Sequence, residues 1–388
     1  MTSAATVTAT WTLACSACPW TAPGDSPAGV CPDCGQPLLV LYDSPWPARD
    51  RITARWDIWR YRDALPIDDG ESPVSLGEGV TPLLEAPALA HAVGVARLWI
   101  KDEGRNPTAS FKARGMSAAV TRARALGVPG LVVPTAGNAG AALAAYGAAA
   151  SLPVRVFAPA STPPPILATI RALGAELDLV DGHIGDAGRR SRAFAAERGW
   201  FDMSTLREPY RIEGKKTMGI ELAEQLGWRL PTHVVYPTGG GTGLIGMWKV
   251  FAEMRDAGWL PADVAFPRMV SAQAAGCAPI VRALESDATS AVPWEDPQTH
   301  ASGLRVPGPL GDRLILRAIR ESGGTAAAVS EDVIARETLR LSRETGIDAA
   351  PEGGCALGVL EKLVRAGAVA RDAEVVLFNT GSGASYRF

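Results

Sequence analysis

The sequence has little of what marks several large functional classes. Aromatic residues make up 6% of its 388 positions, and histidine occurs four times. The four, at His91, His183, His233 and His300, have no spacing that suggests a metal site or a catalytic triad. Neither sign of charge is in excess, with 38 lysines and arginines facing 41 aspartates and glutamates, formally −3. No basic face is present to meet nucleic acid. Long apolar runs are missing too. The most apolar stretch, 130–156, is broken by Pro134, Asn138, Ser151, Pro153 and Arg155, whereas a membrane span needs about 20 uninterrupted apolar residues. Residues 1–15 hold no basic residue ahead of their apolar part and no small-residue cleavage site. A cytoplasmic protein is therefore expected.

What is present is the composition of a globular protein, 47% apolar, 20% charged and rich in alanine and glycine, as suits helices packed closely on a sheet. At 388 residues the chain exceeds one simple core, and two or three structural units are expected. Residues 46–95, rich in proline, aspartate and glycine, read as an irregular lead-in. From residue 97 onward, short apolar runs alternate with amphipathic or alanine-rich segments. The runs at 98–100, 131–133, 154–157, 177–180, 234–236, 269–271 and 375–378 have the character of buried strands. Segments 113–126, 139–150, 186–198, 213–226, 244–257 and 331–345 fit helices between them. That alternation predicts a parallel sheet covered on both faces. Pro163, Pro164 and Pro165 read as a rigid helix start.

Chemistry concentrates where an expected strand passes into an expected helix. Lys112 ends the run Asn106-Pro107-Thr108-Ala109-Ser110-Phe111-Lys112. Such a lysine lies over the carboxyl edge of a sheet, where α/β proteins bind ligands. A desolvated amine there is a nucleophile toward carbonyl compounds. Gly239, Gly240, Gly241, Thr242 and Gly243 stand between the strand at 234–236 and a helix opening at Leu244. Bare glycines let successive backbone N–H groups converge on a phosphate, and the helix start adds partial positive charge. No Walker lysine follows, which argues against a nucleoside triphosphate. Thr135, Ala136, Gly137, Asn138 and Ala139 form a second strand-to-helix loop, able to hold an anion on backbone N–H groups. Asn138 also suits a helix N-cap.

Six cysteines occur, four of them as Cys15-x2-Cys18 and Cys31-x2-Cys34. Two such pairs make a tetrahedral thiolate site for structural zinc, with Pro32 and Gly35 shaping the second knuckle. Reduced thiols or two disulfides are the alternatives. Cys277 and Cys355 are isolated and read as packing residues.

The run from Asn106 to Lys112 resembles the cofactor-lysine motif of fold-type II pyridoxal-5′-phosphate (PLP) enzymes. In matching order and spacing, 134–140 resemble that group's asparagine loop, 237–243 its phosphate loop and 379–383 its last strand end. Residues 204–217, reading Ser-Thr-Leu-Arg-Glu-Pro-Tyr-Arg-Ile-Glu-Gly-Lys-Lys-Thr, resemble the threonine synthase family in particular. The resemblance implies an α/β, tryptophan synthase β-like fold with two α/β domains behind an N-terminal zinc ribbon. The ribbon would occupy 1–45, the lead-in and first part of the large domain 46–114, the small domain 115–205 and the rest of the large domain 206–388. It implies PLP on Lys112 as a Schiff base, with Asn138 at its 3′-oxygen and residues 239–243 at its phosphate. Thr380 would face the ring nitrogen, with Ser382 the competing candidate. It implies structural Zn2+ on Cys15, Cys18, Cys31 and Cys34, and a homodimer.

The implied partner is a small phosphorylated amino acid, with neither nucleic acid nor membrane. Ser110, Thr135, Ala136, Gly137 and Ala139 would contact it, the loop holding its α-carboxylate. Arg211 would grip its phosphate, helped by Lys101, Ser204 and Thr205. The implied reaction is O-phospho-L-homoserine plus water giving L-threonine and phosphate, with Lys112 as general acid–base at Cα and Cβ. Ala109 stands where the family has glycine, Gly354 and Cys355 replace small apolar residues, and no lysine precedes Tyr386. These departures are expected to reshape the substrate end of the pocket. The alternatives are a PLP β- or γ-elimination or replacement enzyme on another amino acid, a threonine or serine dehydratase-like lyase, and a non-catalytic zinc-ribbon scaffold. Joint presence of Lys112, Asn138 and the glycine loop disfavours the last.

Overall fold

A computed structural model of the chain describes residues 11–387. Residues 1–10, part of the stretch read above for targeting signals, lie outside the described residues, as does Phe388.

The chain opens with an antiparallel ribbon of β1 (Trp11–Cys15), β2 (Thr21–Pro23) and β3 (Leu38–Tyr42), in the order β2-β1-β3. An irregular stretch leads to β4 (Leu83–Glu85), α1 (Pro87–Val93) and β5 (Arg97–Asp102). Next, α2 (Lys112–Ala125) enters a second sheet made by β6 (Leu131–Pro134), α3 (Asn138–Ala149), β7 (Val154–Pro159), α4 (Pro164–Ala172), β8 (Glu176–Val180), α5 (Ile184–Arg198) and β9 (Phe201–Asp202). Then α6 (Tyr210–Gln225) returns the chain to the first sheet through β10 (His233–Pro237), α7 (Thr242–Asp256), β11 (Arg268–Ala274), α8 (Pro279–Glu285) and α9 (Asp312–Glu321). It ends with β12 (Thr325–Val329), α10 (Glu331–Thr345), α11 (Pro351–Arg365) and β13 (Glu374–Asn379).

The larger sheet has the order β12-β11-β10-β13-β5-β4, parallel except for β4, which runs antiparallel to β5. The smaller sheet has the order β8-β7-β6-β9 and is parallel throughout. Alternation within the strands divides the core of the larger sheet. Val234, Tyr236, Val376 and Phe378 join one cluster with α6, α7 and α9. Val235, Val375 and Leu377 join another with α1 and α11. Both faces are thus dry, which is why these strands read as unbroken apolar runs. The ribbon buries Trp11, Leu13 and Val40 in the same cluster as α2, α3 and the small sheet.

Helices α2 and α6 cross closely enough that only glycine fits. A Cβ on Gly214 would lie 2.0 Å from the Arg114 carbonyl oxygen, and one on Gly115 would lie 2.9 Å from both the Arg211 carbonyl oxygen and Lys215 Cε. This contact sets the helix that begins at Lys112 against the almost wholly buried α6.

Candidate active site

In a parallel sheet the loops at the carboxyl ends of the strands converge on one edge. Here the loops after β5, β6, β10 and β13 supply much of the wall of one cavity of about 580 Å³. Lys112 opens on it from the first turn of α2, its Nζ 3.8 Å from the Phe111 ring centroid. Burial pushes its amine down to about 7, with Arg211 adding to the effect and Glu352 opposing it. Near neutrality the group is therefore substantially uncharged, as a carbonyl-trapping amine must be.

The glycine loop forms a cradle that side chains would fill. A Cβ on Gly239 would meet the Gly303 carbonyl oxygen at 2.2 Å, and one on Gly243 would meet Tyr236 Oη at 2.1 Å. Gly241, at φ +74°, caps α7. Tyr236 Oη is buried without a partner among the described residues. Thr205 Cγ2 packs where a Cβ on Gly240 would be, 2.7 Å away. Gly240 and Thr242 also line the cavity. The donor set and the space fit a phosphate at the start of α7.

Across the cavity, Thr135 Oγ1 accepts from the N–H of Gly137 at 3.1 Å and of Gly140 at 3.2 Å, and donates to the Gly137 carbonyl at 2.7 Å. Its hydroxyl is spent on shaping the loop. The first N–H groups of α3 have no intrahelical acceptor, and Ala136, Gly137, Asn138 and Ala139 face the cavity with them. Gly137, not Asn138, is the N-cap residue, and having no side chain it leaves Thr135 to take the Gly140 N–H. The Asn138 amide is left free to face a ligand. Thr380 lies on the wall. Ser382 does not, because its hydroxyl donates to Asp348 and accepts from Ala384. Ser204 lines the cavity with its hydroxyl turned to Asp202.

Three expected substrate contacts lie elsewhere. Lys101 is fully buried and donates to Glu221 at 2.5 Å, the Thr81 carbonyl at 2.7 Å and Gln225 at 2.7 Å. All three ammonium protons are used, so Lys101 is a structural ion and not a substrate helper. Ser110 is buried behind the wall with its hydroxyl unpartnered. Arg211 is also behind the wall. Its Nη1 donates to the Met203 carbonyl at 2.7 Å, while Nε and Nη2 have no hydrogen-bond partner among the described residues. Gly354 and Cys355 do not border the cavity either. A Cβ on Gly354 would strike Thr338 Oγ1 at 2.1 Å, so the glycine there serves the α10–α11 contact.

The sequence reading missed residues that do line the wall. Arg189 and Arg192 project from α5, one turn apart, joined by Arg207 and Arg305. Burial and the neighbouring Arg207 both depress the Arg192 guanidinium. Among the described residues the one carboxylate on the wall is Glu352, which accepts from the Gly303 N–H at 2.8 Å and from the Tyr386 hydroxyl. The cluster Arg189-Arg190-x-Arg192 was the available signal.

A second constellation lies in the ribbon. The Sγ atoms of Cys15, Cys18, Cys31 and Cys34 all lie within 4.8 Å of one another. The contacts Cys15–Cys34, Cys18–Cys31 and Cys18–Cys34 are 3.4, 3.5 and 3.7 Å, and none of the four is in a disulfide. Gly35, at φ +72°, turns the second knuckle.

Residues 74–381 match the pyridoxal-phosphate dependent enzyme family. The threonine synthase of Methanosarcina acetivorans is 36% identical over 91% of this chain and 86% of its own. That of Methanocaldococcus jannaschii is 34% identical over 90% and 87%. The chain belongs to the threonine synthase family. It is a PLP-dependent lyase of that kind, with an amino acid as substrate. Maize serine racemase shares the fold, with a TM-score of 0.67 at 20% identity over 78% of this chain and 88% of its own. Among the described residues no helix is long and apolar enough to cross a membrane.

Proposed function

We propose that this enzyme converts O-phospho-L-homoserine and water to L-threonine and phosphate. The observation that carries the reading is the charge of the cavity wall, where Arg192, Arg207 and Arg305, beside an Arg189 paired with Asp186, face the carboxylate of Glu352 alone among the described lining residues. A wall so charged favours several anions at once. A cofactor phosphate, an amino-acid carboxylate and a second, substrate-borne phosphate satisfy it, whereas serine or threonine would bring only the carboxylate.

PLP, when bound, supplies an electron sink for carbanions next to the amino group. The chain's own residues do the rest. Gly239, Gly240, Gly241, Thr242 and Gly243 would hold the cofactor's phosphate, Asn138 would donate toward its 3′-oxygen, and the Thr380 hydroxyl would meet its ring nitrogen. A neutral hydroxyl there does not favour a protonated ring. The N–H groups of Ala136 and Ala139 take the α-carboxylate, with Gly137, whose own N–H is held by Thr135, shaping the loop between them. Lys112, once freed by the substrate's amino group, moves protons at Cα and Cβ. Arg192, Arg207 and Arg305 hold the phosphate that leaves Cγ, with Arg211 behind them offering its unpartnered Nε and Nη2. A proton delivered to Cγ makes the methyl group, and water adds at Cβ.

We further propose zinc at Cys15, Cys18, Cys31 and Cys34. Four thiolates at about 2.3 Å from Zn2+ stand about 3.8 Å apart, close to the observed contacts.

Turnover in 18O-labelled water tests the reaction. Threonine and phosphate should form one to one, with label in the threonine hydroxyl. Label in the phosphate instead would mean attack at phosphorus, and this reading would fall.

A further inference from the structure

Burying a charge is costly unless a counter-charge accompanies it. Among the described residues, the fully buried cations follow that rule with one exception. Lys101 has Glu221 at 2.5 Å, Arg114 has Glu103 at 2.7 Å, Arg122 has Asp68 at 2.6 Å, Lys216 has Glu213 at 2.6 Å and Arg211 has Glu208 at 3.9 Å. Lys215 is fully buried and has no carboxylate partner among the described residues. Its one hydrogen bond runs from Nζ to Thr242 Oγ1 at 2.6 Å. Thr242 is the first residue of α7 and lines the cavity. Lys215 also shares the Phe111 ring with Lys112, at 5.0 and 3.8 Å from the centroid. Burial comes first in holding its amine well below the usual lysine range, Arg211 and Lys112 add to it, and Glu208, too far for an ion pair, opposes them.

A hydroxyl has one proton to give. With an anion in the cradle to keep Lys215 protonated, Thr242 Oγ1 accepts from its ammonium and the hydroxyl's own proton is free to donate into the cavity. The direction matters, since a phosphate accepts and does not donate. An ammonium directly behind that hydroxyl polarises it and places a positive charge one atom layer from the glycine cradle.

We propose that Lys215 is the counter-cation of the phosphate held at Gly239, Gly240, Gly241 and Thr242, acting through the Thr242 hydroxyl at the phosphate end of PLP while Lys112 takes the aldehyde end. Lys215 is thus a positioning residue. The proposal rests on the PLP reading of the site.

The test uses K215M, K215R and T242V with two probes, PLP and unphosphorylated pyridoxal, titrated into apoprotein by visible absorbance. K215M fills the same space without charge, so apoprotein melting should not fall and is expected to rise. Its PLP affinity should drop on the order of 10- to 100-fold, the loss typical of a charge-assisted hydrogen bond. Pyridoxal affinity should stay within about threefold of wild type by the same reasoning. K215R should recover most of the PLP affinity. T242V should lose a similar factor, and the double variant little more than either single one.

Wild-type affinity for PLP in K215M, equal loss of PLP and pyridoxal, or an apoprotein that melts much lower would overturn the proposal. Unchanged PLP affinity with a raised KM for O-phosphohomoserine would give Lys215 to the substrate's phosphate and overturn it too. Wild-type apoprotein supplies a readout that needs no variant. Inorganic phosphate should raise its melting temperature and compete with PLP, and failure of either contradicts an anion site there. Wild type that binds no PLP at all refutes the cofactor reading itself. PLP binding that ignores Lys215 refutes only this inference.

Discussion

The Tyr210 hydroxyl donates to the carbonyl of Gly24 at 2.9 Å, tying α6 to the cysteine ribbon. Nearby, a Cβ on Gly29 would lie 2.6 Å from the Arg207 carbonyl oxygen. The ribbon therefore braces the segment that carries Ser204, Thr205 and Arg207 to the cavity. A unit this small has too little core to hold itself without metal.

One zinc per chain is expected on metal analysis. Cys34→Ser should release it and raise KM for the phosphorylated substrate about tenfold, the scale of a sub-ångström displacement at a binding group. PLP content should hold, because the glycine loop belongs to the large sheet. Metal-free protein with an unaltered KM would show that the ribbon does not brace the site.

Lys112 should capture PLP with a pH profile centred near 7, its amine being pushed down to about 7. An unperturbed lysine would centre near 10.4, at about its peptide pKa. The same shift bears on stability. Between about 7 and 10.4 the unfolded chain carries the proton that folded Lys112 lacks, so this residue's contribution to apoprotein stability rises with pH across that window. Urea unfolding at pH 7 and 9 should show a smaller rise in Lys112→Met than in wild type. Capture centred near 10 would mean that the lysine is not desolvated.

Glu221 joins Arg114 at 2.8 Å and Lys101 at 2.5 Å inside the protein. These cations hold its carboxyl far below the usual range, outweighing burial, which raises it. Its stabilisation is present above the ordinary glutamate pKa and fades as pH falls through the folded value. Glu221→Gln leaves buried Lys101 without a carboxylate and Arg114 with Glu103 alone, and should cost roughly 3–5 kcal/mol in urea unfolding. A cost below about 1 kcal/mol, the scale of an exposed pair, would contradict the buried network.

Much of the fold was legible because buried parallel strands are apolar along their whole length. Runs such as 234–236 and 375–378 lie inside β10 and β13. β12 was not legible, since Thr325-Ala326-Ala327-Ala328-Val329 carries little β-branched signal. The lysine, asparagine and glycine loops could be found because each sits at a strand end, where topology alone aims it at the cavity. Lys101 was misread for a reason of register. In β5 it falls on the face opposite Leu98 and Ile100, so its side chain runs under α6 and never reaches the strand end. Ala109 adopts φ +57° beside Thr108 at +58°. The backbone that glycine serves in relatives persists here at a cost on the order of 1 kcal/mol per residue. Arg189 and Arg192 left a local signal, but their meeting with Arg207 and Arg305 was not legible, because those two lie on loops that only folding brings to α5.

The most direct measurement is catalytic efficiency toward O-phospho-L-homoserine against unphosphorylated L-homoserine and O-acetyl-L-homoserine, in wild type and in Arg207→Ala. Wild type should prefer the phosphorylated substrate by two orders of magnitude or more, following roughly 2–5 kcal/mol for a phosphate paired with arginine. Arg207→Ala should erode that preference about tenfold while leaving PLP bound, its partly exposed position muting the full effect. A wild type that works as well on an unphosphorylated derivative would contradict the assignment of a phosphorylated substrate.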